Sequence, residues 1–152
     1  MQPDENGYYY VNGQKCIPDF FVYNVDFNTA AGSNIAAGAV ANSSFTVQAG
    51  QYFLWQQACY WADTAQGTQT DSTRLIPLCT VALTDTNSGK NLTNTATMVP
   101  SLFGTAMEPF VLPNPRLCMP QSVIGAQVTN ITAGVNYNLR LSFIGLALFP
   151  TA

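Results

Sequence analysis

The segment from Tyr137 to Phe149 constrains the fold more than any other. Tyr137, Leu139, Leu141 and Phe143 alternate with Asn138, Arg140 and Ser142. Alternation at period two puts each set on one face of an extended strand, whereas a helix would scatter both sets around its axis. The phase breaks near Gly145, which marks a β-bulge. A strand this long and this amphipathic needs neighbours to pair with and a core to cover its apolar side.

The rest of the chain follows the same period. Tyr8 to Val11 is a short aromatic run ended by the turn pair Asn12-Gly13, and Phe20 to Val25 is a second β-prone run. Thr29 to Asn42, rich in Ala, Gly, Ser and Asn, reads as a linker plus a weak strand. Ser43 to Val47 alternates as a half-buried strand does. In Tyr52 to Trp61, Phe53, Trp55, Cys59 and Trp61 fall on one face, and Tyr52, Leu54, Ala58 and Tyr60 on the other. A strand apolar on both faces lies centrally in a sandwich or under a partner.

Asp63 to Ser72 reads as an exposed polar loop. Arg74 to Thr84 reads as the next strand, with Pro77 marking an edge or bulge. Asp85 to Lys90 is a turn, and Ser122 to Thr129 is a further strand. Pro100 to Pro120 holds five prolines and reads as an irregular loop, yet one apolar enough to be packed down. No run of twelve residues carries a helical stripe. The expected fold is all-β: an antiparallel β-sandwich, jelly-roll-like, of about eight short strands. Residues 1–35 form an N-terminal arm and first strands joined to the sandwich domain of residues 36–152.

Charge excludes several partners. Asp, Glu, Lys and Arg make up 9% of the 152 residues, against about 25% in ordinary soluble domains. Five cations cannot neutralise a row of phosphates, so no nucleic-acid partner is expected. No stretch of about 18 apolar residues exists to form a membrane helix, and Met1 to Asn6 lacks the features of a secretory signal. Interface cores are depleted in charge, so the uncharged polar composition suits a surface that meets other protein.

Histidine is absent, which removes Ser-His and Cys-His nucleophile pairs and imidazole metal ligands. Cys16, Cys59, Cys79 and Cys118 are widely spaced and read as core thiols rather than zinc ligands. Asp85-x-Asn87-x-Gly89 faintly matches a calcium loop but is explained by turn chemistry. Asn42, Asn91 and Asn130 head chance matches to the glycosylation pattern. No enzyme activity and no cofactor are expected. Two rival readings stay open. One is a tail or receptor-binding module that recognises a host-surface glycan with Trp55, Tyr60 or Trp61. The other is a glycoside hydrolase using Asp63 and Asp71.

The segments Asp85 to Leu92, Leu102 to Ala106, Phe110 to Arg116, Pro120 to Ile124 and Leu141 to Gly145, with Phe149, carry a resemblance. Together with Phe45 to Trp55 they cover roughly residues 40–150, which resemble the capsid cement or decoration proteins of tailed bacteriophages. The resemblance implies a jelly-roll virion protein without catalytic residues. It would be made in the host bacterial cytoplasm and bound to the outer capsid shell, where it bridges subunits of the major capsid protein. Self-association as a homodimer or homotrimer is expected with it. On that reading Tyr8, Tyr9 and Tyr10 form a docking arm, and Phe103, Met107, Phe110, Leu112 and Leu117 form a contact loop.

Overall fold

The computed structural model describes residues 1–27, 34–64 and 74–151. Among them are ten strands and one helical turn: β1 (Tyr9–Val11), β2 (Gln14–Phe27), β3 (Val40–Thr46), β4 (Tyr52–Asp63), β5 (Cys79–Asp85), β6 (Lys90–Asn91), β7 (Thr97–Met98), α1 (Val99–Leu102), β8 (Phe110–Cys118), β9 (Val123–Asn130) and β10 (Asn138–Pro150). They build two antiparallel sheets packed as a sandwich. The first has the order β1-β2-β10-β4-β8; the second has β3-β9-β5-β6, with β7 also paired to β5. From β2 onward, successive long strands cross between the sheets, except at the β5–β6 hairpin. That order, β2-β10-β4-β8 over β3-β9-β5-β6, is the double Greek key of a jelly roll.

β10 is central, as its alternation demands. It pairs β2 from Leu139↔Phe27 to Pro150↔Cys16, and β4 along its other edge. Its inward side chains Leu139, Leu141 and Phe143 are fully buried. The core they enter is aromatic. Phe45, the ring contributed by the second sheet, stacks on Tyr23 at 4.5 Å between centroids and meets Phe143 at 4.9 Å. Val81, Leu83, Ile124, Ala126 and Val128 complete the second sheet's inner face.

Four sequence expectations need correction. β4 does not keep one phase. The register shifts between Ile144 and Gly145, where Ile144 pairs Gln57 and Gly145 pairs Trp55. Gln56 is therefore an extra residue, a β-bulge, and every side chain after it changes face. Phe53 and Trp55 point into the core with Ala58, Tyr60 and Ala62, whereas Cys59 and Trp61 join Leu54 on the outer face. The bulge expected near Gly145 is present, but its extra residue belongs to the facing strand.

The proline-rich segment is not a loop throughout, because β8 occupies Phe110 to Cys118. It pairs β4 at Phe110–Val111 and again at Arg116–Cys118, and the intervening stretch holds Pro113 and Pro115. An edge strand tolerates prolines because one side of its backbone needs no ladder partner. The strand expected from Arg74 begins only at Cys79, with a single bridge from Arg74 to Asp63 before it. The strand expected from Ser43 starts at Val40. The polar stretch 65–73 and residues 28–33 lie outside the described residues, and with them most of the expected Asp63–Ser72 loop.

Among the described residues, one ion pair ties the two sheets. Arg116 Nη2 on β8 donates to Asp85 Oδ2 at the end of β5, at 2.7 Å. Burial pushes the Asp85 carboxyl up, but the hydrogen bond and charge of Arg116, with hydrogen bonds from Ser88, outweigh it and hold the pKa below the ordinary value. A carboxyl depressed on folding stabilises the fold above its unfolded pKa of about 3.9, and that contribution is lost as the pH falls through the folded pKa. Asp85→Asn should cost about 1–3 kcal/mol at pH 7, since the guanidinium loses its partner. In urea titrations the gap between wild type and variant should stay full down to about pH 5 and narrow below about pH 4. A gap independent of pH would refute the assignment.

Candidate functional site

The two outer faces of the sandwich differ. A sandwich in water normally keeps its outward side chains polar. The second sheet obeys apart from Val40, 54% exposed opposite Thr129, and Val123 opposite Thr46. Its outward rows hold Asn42 and Gln127, joined by a hydrogen bond of 3.1 Å, with Thr80, Thr84, Thr129, Ser44 and Thr46 around them. The first sheet does not. Since Tyr23, Val25 and Phe27 point inward on β2, Phe20 and Val22 point outward; on β10, Ile144, Leu146 and Leu148 do the same. The pairing sets them in rows across β2, β10, β4 and β8: Val22–Ile144–Gln57–Val111, then Phe20–Leu146–Leu54–Leu117.

One end of this face is already covered. Tyr9, Val11, Cys16, Leu54 and Leu148 form a second, smaller core, with Tyr52, Leu117 and Leu146 packed against it. The β1–β2 hairpin supplies three of these residues. It is closed by Asn12 and Gly13, both at positive φ (52° and 81°), as a two-residue hairpin turn requires. Beyond that cover, Phe20 is 68% exposed and Val111 60%. The other end is polar. There Asp26 pairs with Arg140, Ser142 donates to Asn24 at 2.7 Å, and the Arg74 guanidinium lies 5.5 Å from the Trp61 ring centre.

The residues expected to dock are dispersed. Tyr9 is buried in the second core, so it serves the edge strand and not a free arm. Tyr8 is half-buried under the Lys15 ammonium, 3.6 Å from the ring centre, and the Tyr10 hydroxyl bonds Asp4. Phe103 is fully enclosed against Phe143 and offers no outside contact. Phe110 points inward opposite Ala58, and Leu112 packs on the main core. Leu117 lies on the outward apolar face. Met107 is 90% exposed and borders a cleft of about 320 Å³ with Tyr60, Trp61, Arg74, Leu75 and Ile76. The outward residues Phe20, Val22, Ile144 and Val111 were missed, although continuing the alternation of β10 past Arg140 and Ser142 points to Ile144.

The rival sites change as well. Trp55 is buried, its indole donating to Gln57 O at 2.7 Å, so it cannot stack on a sugar. Trp61 and Tyr60 reach the cleft, with Arg74 beside the Trp61 ring. Asp63 is fully buried and accepts hydrogen bonds from the Trp61 indole at 3.0 Å and the Asn138 amide at 2.9 Å. Asp71 lies outside the described residues.

All four cysteines are free thiols, and Cys16, Cys79 and Cys118 are buried. Burial pushes the Cys79 and Cys118 thiols up to about 11, which keeps them protonated and unreactive near neutral pH. The Asp85–Gly89 segment is a turn: the Ser88 N–H donates to Asp85 Oδ1, and Gly89 takes φ of 62°. Asn130 is buried and holds its own turn together, donating to Ile35 O and Val135 O and accepting from Thr132.

Fold and surface together define an all-β jelly-roll protein with a mostly polar outer face on one sheet and an apolar band across the middle of the other. No family model matches the chain, and no curated protein or solved structure matches it.

Proposed function

We propose that this chain is a structural protein of a tailed-bacteriophage virion, a cement or decoration protein that binds the outer capsid shell and bridges subunits of the major capsid protein. The observation that carries the reading is the outward apolar face of the first sheet, which needs a protein cover. The low charge of the chain supports it, because a shell subunit has much of its surface covered. The jelly roll adds support by architectural analogy, since capsid domains use it, as do lectins. The action is mechanical: each bridging copy adds interface area across a seam against the outward push of packaged DNA, and many copies multiply a small gain.

Co-purification tests this. The protein should sediment with intact, DNA-filled particles in a fixed ratio to the major capsid protein. Particles lacking it should release DNA at a lower temperature than complete ones. Absence from intact particles, or presence on tails alone, would overturn the reading.

A further inference from the structure

We infer that the free edge of β3 takes an extended, uncharged segment of another protein as an added β-strand. This edge is separate from the outward apolar face of the first sheet, and its use does not depend on which particle the protein joins.

Among the described residues β3 pairs with β9 alone, along one of its two sides. The phase of that ladder follows from its ends. The Asn130 N–H donates to Ala39 O at 2.9 Å, and the Val47 N–H donates to Ser122 O at 2.9 Å. In an antiparallel pair, residues that bond across the ladder alternate with residues that do not. The register runs unbroken from Val40↔Thr129 to Thr46↔Val123, so Ala41, Ser43 and Phe45 bond to β9. The N–H and C=O groups of Val40, Asn42, Ser44 and Thr46 therefore face away from β9, and no described residue bonds to them. Such a row of open backbone donors and acceptors is a template for one more strand.

The other edges are blunted. The first sheet ends on one side at β1, three residues long, beyond which β2 carries Pro18, Asp19 and Asp26. On its other side it ends at β8, which holds Pro113 and Pro115. The far edge of the second sheet is made by β6 and β7, two residues each, with Lys90 in β6. Short strands, prolines and charges are the devices by which proteins keep an edge from pairing. β3 has none of them: it is seven residues long, without charge, proline or bulge. The sandwich is open to a further strand at this edge and guarded at the rest.

The side chains beside the edge specify the strand it fits. Ala41 and Ser43 share the inward phase of Phe45 yet stay half-buried, so the inner layer is incomplete next to them. Small or apolar side chains on an added strand would close it. Asn42, Ser44 and Thr46 point outward and are exposed, which suits hydroxyl or amide neighbours. Neither β3 nor β9 carries a charged residue, so a charged side chain on the added strand would find no counter-charge. The occupant is a segment of about five to seven residues, the common strand length, that alternates apolar with uncharged polar side chains. Main-chain hydrogen bonds would hold it, as in other cases of β-strand addition.

Amide hydrogen exchange of the purified full chain, read residue by residue by NMR, tests this with a blocked heptapeptide of alternating threonine and valine. In the free protein the amides of Ala41, Ser43 and Phe45 should exchange slowly and those of Asn42, Ser44 and Thr46 fast. The peptide at about 1 mM should slow the second set at least tenfold. The same peptide with proline at its centre should not. Ser44→Pro removes an edge N–H and leaves the β9 ladder whole, so it should keep the wild-type circular dichroism and weaken peptide binding at least tenfold. Should that variant unfold, the proline peptide makes the same test on unaltered protein. An edge left unprotected at about 1 mM peptide overturns the inference. So does protection that the proline peptide matches, or binding that a folded Ser44→Pro leaves untouched. Edge amides already slow in the free protein overturn it too: slow at every concentration, the chain covers its own edge; slow only at high concentration, a second copy does.

Discussion

Gly145→Ala is expected to destabilise the protein by about 3 kcal/mol or more, out of a typical total of about 5–15. A Cβ on Gly145 would lie 2.0 Å from Leu54 O, 2.9 Å from Leu54 C and 3.1 Å from Trp55 Cα. Those are backbone atoms of β4, so no side chain can swing aside. They come this close because the Gln56 bulge bends β4 towards β10 just where the register shifts. Relief would need the two central strands to separate, breaking ladder hydrogen bonds in the middle of the first sheet. Urea unfolding followed by tryptophan fluorescence reads the effect. Gly134→Ala is the control: its Cβ would meet nothing within 4 Å, and it should move the midpoint by less than about 0.5 kcal/mol equivalent. A loss below 1 kcal/mol for Gly145→Ala would mean that the strands part at little cost.

Phe143→Ala is expected to cost about 3–5 kcal/mol, the range for deleting a buried aromatic ring. Phe143 is fully buried on the inner face of β10. Its ring lies 4.9 Å from Phe45, 4.9 Å from Trp55 and 5.4 Å from Phe103. These neighbours come from β3, from β4 and from the residue after α1, so one deletion loosens both sheets and the segment closing the edge of β4. The cavity left is walled by rings on separate strands that cannot all collapse inward. The variant should also shift Trp55 emission to longer wavelength in the native baseline, through water entry or looser packing. An unchanged spectrum together with a loss under 1.5 kcal/mol would place Phe143 outside the structural centre.

The fold was legible wherever the pattern was local. The alternation of Tyr137 to Phe143 made β10, and Asn12-Gly13 made the hairpin turn. Asp85 to Lys90 made the β5–β6 turn through the Asp85–Ser88 hydrogen bond. The failures share one cause: each depends on which strand lies alongside. Gln56 carries no signal of a bulge, because the extra residue is defined by the register against Ile144 and Gly145. Pro113 and Pro115 speak against a strand unless that strand is an edge, and edge position is a property of the sheet. Phe103 and Tyr9 were expected on a contact loop and a docking arm. Phe103 is received by Phe143, forty residues further along, and Tyr9 by the cluster holding Leu54 and Leu148.

The candidate surface was less legible still. The low charge raised the expectation of a covered surface, but composition has no direction. By itself, the sequence determined the strand class, the principal turns, the inward side of β10 and the lack of imidazole chemistry, because those follow from residue type and local period. Only the tertiary structure decided that an apolar band crosses the outer face of the first sheet while that of the second is mostly polar. That contrast arises when Phe20, Ile144, Val111 and Leu117, from three strands far apart in the chain, are brought side by side by long-range pairing, and long-range pairing leaves no mark in any short window of sequence.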